Sequence, residues 1–166
     1  MKRFLAVLLA SLLIAGLCMP AHAVTAQYKS TQAFADMLDS LEITYSLSGP
    51  DSDGDELISI ENEFDNGYEC TFHVYFNSHE ENCYIRVWNI ISYDDADFSK
   101  VLRACNTLNN QYKYVRFYAD ESDNTVTASL DLIFRDNDVD QIVLEALLTA
   151  VSILEDAYPA LDIYNK

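Results

Sequence analysis

Residues 68–91 read YECTFHVYFNSHEENCYIRVWNII. Two aromatic and β-branched runs, Tyr68–Asn77 and Cys83–Ile91, flank the polar stretch Ser78–Asn82, which is the pattern of a β-hairpin. The hairpin centres near residues 79 and 80, so that Cys70 should face about Asn89. Upstream, Asn66-Gly67 is a strong tight-turn signal, and the alternating Leu57–Asn62 forms the preceding short strand. Gly49-Pro50-Asp51-Ser52-Asp53-Gly54-Asp55 is a turn cluster. Before it, Phe34, Met37, Leu38 and Leu41 recur at helical spacing, predicting a helix over about 30–42 with Ser30-Thr31 as the cap. Downstream, Phe98, Val101, Leu102, Cys105 and Leu108 mark a second helix, started by Asp94, Asp95 and Asp97. Tyr112–Ala119 and Thr125–Phe134 are two further strands, turned by Asp120–Asn124. A final long helix carries Val139, Val143, Leu147, Val151 and Leu154. Asp138 is placed to cap it, with Gln141 completing a box-like pattern, and Pro159 to stop it.

The order is thus α-β-β-β-α-β-β-α. Short turns require antiparallel neighbours. The expected fold is α+β, in two layers: a five-stranded antiparallel sheet with helices on one face.

Alternation sorts the strand residues into two faces. Ile58, Ile60, Phe72, Val74, Phe76, Ile85, Val87, Val115, Phe117, Val126, Ala128, Leu130 and Leu132 form an apolar set that should meet the helices. The opposite set is amphipathic and rich in tyrosine. It holds His73, Tyr75, Tyr84, Arg86, Trp88, Tyr112, Tyr114, Arg116, Tyr118, Thr127, Ser129 and Asp131. Tyrosine, tryptophan and arginine bury area while keeping a polar handle, which suits a contact surface. Tyr75, Tyr84, Arg86, Trp88, Tyr114, Arg116, Tyr118 and Asp131 are therefore the candidate partner face. The plain alternative is a solvated face built from good strand formers. In the last helix Leu144 and Leu148 widen the apolar stripe, as a dimer seam or a deeply buried helix would.

The chain has 166 residues, the size of one domain, and half of it is apolar, which is enough for a core. Residues 1–23 read as a secretory signal peptide: Lys2 and Arg3, an apolar run from Phe4 to Leu17, and Ala21-His22-Ala23 at the cleavage position. That run is shorter than the ~20 residues that span a bilayer. Leu17 before Cys18 does not fit a lipoprotein signal, so cleavage after Ala23 is expected. Residues 24–166 are then a single domain, periplasmic or secreted, with no membrane association. Ten Lys and Arg stand against 27 Asp and Glu, a net charge of −17 that becomes −19 once Lys2 and Arg3 leave with the leader. So acidic a protein lacks the basic footprint that nucleic-acid binding needs.

Catalytic motifs are missing from the sequence. There is no phosphate-binding glycine loop, no G-x-S-x-G and no H-E-x-x-H. Past residue 23 the histidines are His73 and His79, and strand alternation sets Cys70 and His73 on opposite faces, against a cysteine–histidine nucleophile. No cofactor is expected. Cys70, Cys83 and Cys105 match no zinc spacing. They are odd in number, so one bridge in an oxidising compartment or three small buried hydrophobes are both open. Asp51, Asp53 and Asp55 are weak calcium candidates. An EF-hand count from Asp51 puts Glu56 at the glycine position and Asn62 at the glutamate position, so that pattern fails.

The second half carries a recognisable set of stretches: Cys105-Asn106-Thr107-Leu108-Asn109, Tyr114-Val115-Arg116-Phe117-Tyr118, Thr125–Leu132, and Leu154-Glu155-Asp156-Ala157-Tyr158-Pro159. The sequence resembles the YbjN family, described as sensory transduction regulators, over roughly residues 30–160. Members of that family resemble type III secretion chaperones in fold. The resemblance implies a non-enzymatic, chaperone-like or regulatory module that binds protein or peptide and is able to form a homodimer. It carries over no catalytic residue. Asn106, Asn109, Arg116 and Asp131 match the family pattern, and an asparagine near a helix end ordinarily caps locally. The leader and the acidity depart from the family's familiar, cytoplasmic members. The expectation is an exported protein-binding module, with a small-ligand or calcium-binding extracellular module as the alternative.

Overall fold

The hairpin at the centre of the sequence forms in the expected register. In the computed structural model, which describes residues 25–134 and 138–166, Val74 faces Ile85 and Phe76 faces Cys83. The expected leader lies outside the described residues. The elements run α1 (Lys29–Ser40), β1 (Ser46–Ser48), β2 (Glu56–Glu63), β3 (Glu69–Phe76) and β4 (Asn82–Ser92). A 3-10 turn (Asp95–Asp97) leads into α2 (Phe98–Gln111), followed by β5 (Arg116–Asp120), β6 (Thr125–Ile133) and α3 (Val139–Asp162). Every strand pair is antiparallel, and the sheet order is β1-β2-β3-β4-β6-β5. The fold is the α+β architecture expected, with six strands instead of five. The added strand, β1, is Ser-Leu-Ser pairing Leu47 with Ile58. Three residues are too short to show an alternation.

The apolar strand set is buried as a continuous core against the helices. Phe72, Val74 and Phe76 from β3 and Ile85 and Val87 from β4 join Phe34 and Leu38 of α1, Val101, Cys105 and Leu108 of α2, and Val143, Leu147 and Leu154 of α3. Each such side chain contributes about 2 kcal/mol on burial. Leu144 and Leu148 are half-buried against this core.

Several ends differ from the sequence expectation. Tyr28, not Ser30 or Thr31, is the N-cap of α1. The two hydroxyls are buried inside the helix and, among the described residues, have no hydrogen-bond partner. Distant carboxylates do the capping instead. Glu56, fully buried, accepts from Gln27 N (2.7 Å) and Tyr28 N (3.0 Å), and Glu80 Oε2 accepts from Lys29 N (2.8 Å) and Ser30 N (3.2 Å). At α3 the Asp138 side chain makes no capping bond, and Gln141 donates to Glu145 within the helix. Pro159 does not stop α3, which runs to Asp162. Proline removes one hydrogen bond near the helix end, and completely buried Leu161 holds the last turn on the core. β5 starts at Arg116, because Tyr112 still donates its N–H to Leu108 O as the C-cap of α2. Asn109 does not cap its own helix: it hydrogen-bonds to β5 through Phe117.

Cys70 is half-buried and Cys83 and Cys105 are buried, all three as free thiols. Loss of solvent pushes the thiols of Cys70 and Cys83 up to about 12 and that of Cys105 up to about 11.

Candidate functional site on the open sheet face

The strand residues left over from the core lie on the uncovered face in cross-strand rows. Register puts His73, Arg86, Ser129 and Arg116 in one row across β3, β4, β6 and β5. Tyr75, Tyr84 and Asp131 form the row beside it. The candidate residues divide into two groups.

The first group is already paired within the molecule. Tyr75 and Tyr84, directly opposite each other, stack at 4.7 Å between ring centroids. The Arg86 guanidinium lies 4.6 Å from the Tyr84 ring centre and holds Asp131 Oδ1 at 2.8 Å. Its other arm donates to Ile85 O at 3.0 Å. The Tyr84 hydroxyl donates to Asp55. Burial, then this carboxylate, push the Tyr84 phenol well above its ordinary value. His73 Nδ1 is 3.0 Å from Ser59 Oγ, and burial lowers the histidine from its ordinary range. These side chains lie flat and satisfied over the sheet, a packed polar layer.

The second group carries the exposed aromatics and lies toward β5. Trp88 is 46 % exposed and Tyr118 is 39 % exposed. Trp88 stands where the β4–β6 register slips. Val87 faces Ala128 and Ile91 faces Val126, so three residues of β4 oppose Thr127 alone, and Asn89 adopts φ +54°. Such a bulge re-aims side chains away from the regular pleat. Thr127, opposite Tyr118, is 2 % exposed although it belongs to the open face. Arg116 donates to Lys113 O at 3.2 Å. Tyr114 is on no strand; it sits in the bend before β5, 70 % exposed. Tyr112 packs against the core and is absent from this face, since its backbone still belongs to the helix end.

Beyond His73, the β2–β3 end of the face turns acidic. Glu63 and Glu69 are direct cross-strand partners, with Glu61 on the same side, all exposed. Directly opposed like charges destabilise a strand pair, so this end has no apolar footprint to offer.

The Asp51–Asp55 turn closes on itself. Asp51 Oδ1 accepts from Asp53 N (2.8 Å) and Asp55 N (3.1 Å), and these backbone donors hold its carboxyl below the usual range. The Asp55 carboxylate reaches Tyr84 instead. Among the described residues, no group of three or more His, Cys, Asp or Glu is placed to hold a metal ion. Cys70 packs with the core while His73 lies on the open face, as alternation requires.

A family model described as "Putative bacterial sensory transduction regulator", YbjN, matches residues 30–162. Among solved structures, the ExsC–ExsE complex is 16% identical with a TM-score of 0.50, covering 82% of this chain and 94% of that chain. The crystal structure of YbjN from E. coli is 9% identical with a TM-score of 0.48, covering 76% of this chain and 90% of that chain. A search of curated proteins finds no match. Residues 30–162 span most of the sequence, and the chain belongs to the YbjN family.

Proposed function

We propose that the protein is exported and acts as a non-enzymatic, chaperone-like or regulatory module that binds a protein or peptide on the open face of its sheet. The observation that carries this reading is the exposure of Trp88 on β4 and Tyr118 on β5, on either side of β6, with exposed Tyr114 and Arg116 just before and at the start of β5. Tyr75, Tyr84, Arg86 and Asp131 are paired within the molecule and the β2–β3 end is acidic, so among the described residues the large exposed aromatics gather toward β5. ExsC, whose fold this chain shares, is seen in complex with ExsE, and binding of a protein by the same architecture supports the assignment. The leader at residues 1–23 supports a periplasmic or secreted location, where this acidic domain would meet its partner.

A photoreactive residue placed at Tyr118, and in a separate variant at Leu102 on the helical layer, tests the face in the producing cells. Adducts at position 118 that are missing at 102 support the reading; equal yields at both positions, or none at either, reject it. Light scattering of residues 24–166, as wild type and as Trp88→Ala with Tyr114→Ala, separates a second copy from a foreign partner. Export is checked by the mass of the fractionated protein, expected to begin at Val24.

A further inference from the structure

The sheet ends on β5, and a terminal strand exposes a row of N–H and C=O groups to any passing strand. Phe117 points its backbone away from β6. Its N–H donates to Asn109 Oδ1 at 2.7 Å, and its C=O accepts from Asn109 Nδ2 at 2.8 Å. One side-chain amide thus makes both bonds that a residue on a neighbouring strand would make in an antiparallel narrow pair. Asn109 belongs to the last turn of α2, two residues before its end. The opposite edge of the sheet is protected differently, by the shortness of β1, the three residues Ser46-Leu47-Ser48.

The β5 sequence, Arg116-Phe117-Tyr118-Ala119-Asp120, is complementary to itself. Laid antiparallel about a two-fold axis at Tyr118, two copies would pair Phe117 of each with Ala119 of the other. Phe117 and Ala119 share strand parity, so both direct their backbone groups to the free edge. In the same register Arg116 of each copy faces Asp120 of the other, an attractive cross-strand pair. Such a contact is isologous and closed.

We propose that Asn109 serves as a stand-in strand that denies the β5 edge to a second copy of this chain. The inference is independent of binding on the open face, because it concerns main-chain pairing at the edge. Light scattering over a concentration series tests it with four variants of residues 24–166: Asn109→Ala, Asn109→Leu, Ala119→Pro, and Asn109→Leu with Ala119→Pro. Leucine keeps the volume and removes both bonds, and proline at 119 removes an outward N–H that strand addition needs. The expected result is a doubling of mass over the wild-type value for Asn109→Ala and Asn109→Leu, reversed in the double variant. Amide exchange at Phe117 reads the edge directly. Faster exchange at Phe117 with an unchanged mass would overturn the proposal. So would a wild-type assembly that Ala119→Pro alone dissociates, or unfolding of both Asn109 variants with no associated species.

Discussion

The Tyr84 hydroxyl donates a hydrogen bond to Asp55 while its ring stacks on Tyr75, joining two residues that are 29 positions apart. The bond ties the Asp51–Asp55 turn to the middle of the sheet. Tyr84→Phe keeps the ring stack and loses the bond, and urea unfolding at neutral pH should show a loss of about 1 kcal/mol. The pH sense follows from the phenol being pushed up in the folded state, by burial first and by Asp55 next. The neutral form is favoured by folding, so its contribution is fully present below pH ~10, where a free phenol titrates, and is lost as pH rises through the higher folded value. Asp55→Asn should bring the Tyr84 titration down, measured by NMR on ring-labelled tyrosine.

Glu56 should be among the least replaceable polar residues. It is fully buried and serves two backbone donors, Gln27 N and Tyr28 N. Glu56→Ala leaves both donors without an acceptor and should cost about 3 kcal/mol, whereas Glu56→Gln retains one oxygen and should cost about 1–2 kcal/mol. Equilibrium denaturation with an unchanged m-value checks both.

The thiols should be slow to react in the native state. Cys70 and Cys83 are pushed up to about 12 and Cys105 up to about 11 by burial, so little thiolate exists at pH 8. In residues 24–166 a thiol reagent should label fewer than one equivalent rapidly without denaturant and three in 6 M urea. Rapid labelling of all three in the native protein would contradict the packing.

The turn of α3 beyond Pro159 carries a sharp contrast. Leu161 is fully buried and Ile163 is 73 % exposed. Leu161→Ala should cost about 3 kcal/mol and Ile163→Ala under about 0.5 kcal/mol, by thermal unfolding. Equal effects would mean that the helix does not dock past the proline.

Long-range order was legible wherever side-chain periodicity carried it. The β3–β4 register follows from the symmetric placement of Ser78–Asn82, and the two faces follow from alternation, so that Tyr75, Tyr84, Arg86 and Asp131 fall together as expected. What escaped was set by partners distant in sequence. Ser30 and Thr31 have the right chemistry for a cap, but Glu56 and Glu80 arrive from β2 and the β3–β4 loop and place the helix start earlier. Tyr112 and Tyr114 continue an aromatic alternation into β5, yet the N–H of the first closes the end of α2 on Leu108 O and strand pairing begins only at Arg116. The bulge at Trp88–Ile90 has no local signature beyond Asn89, a residue that tolerates positive φ. Asn109 was visible as a residue of interest, but its partner Phe117 is fixed only by the packing of α2 beside β5.

The caps of α1 also order events in time. Synthesis delivers this helix before any strand, yet its leading amides find acceptors only when Glu56, 29 residues beyond Gln27, and Glu80, 51 residues beyond Lys29, have been placed by the sheet. Closing those loops costs entropy that no local contact returns. The hairpin β3–β4, with a loop of five residues, forms without such a wait. This helix, the first among the described residues, is therefore among the last to lock, and substitutions at Phe34 or Leu38 should speed unfolding far more than they slow folding.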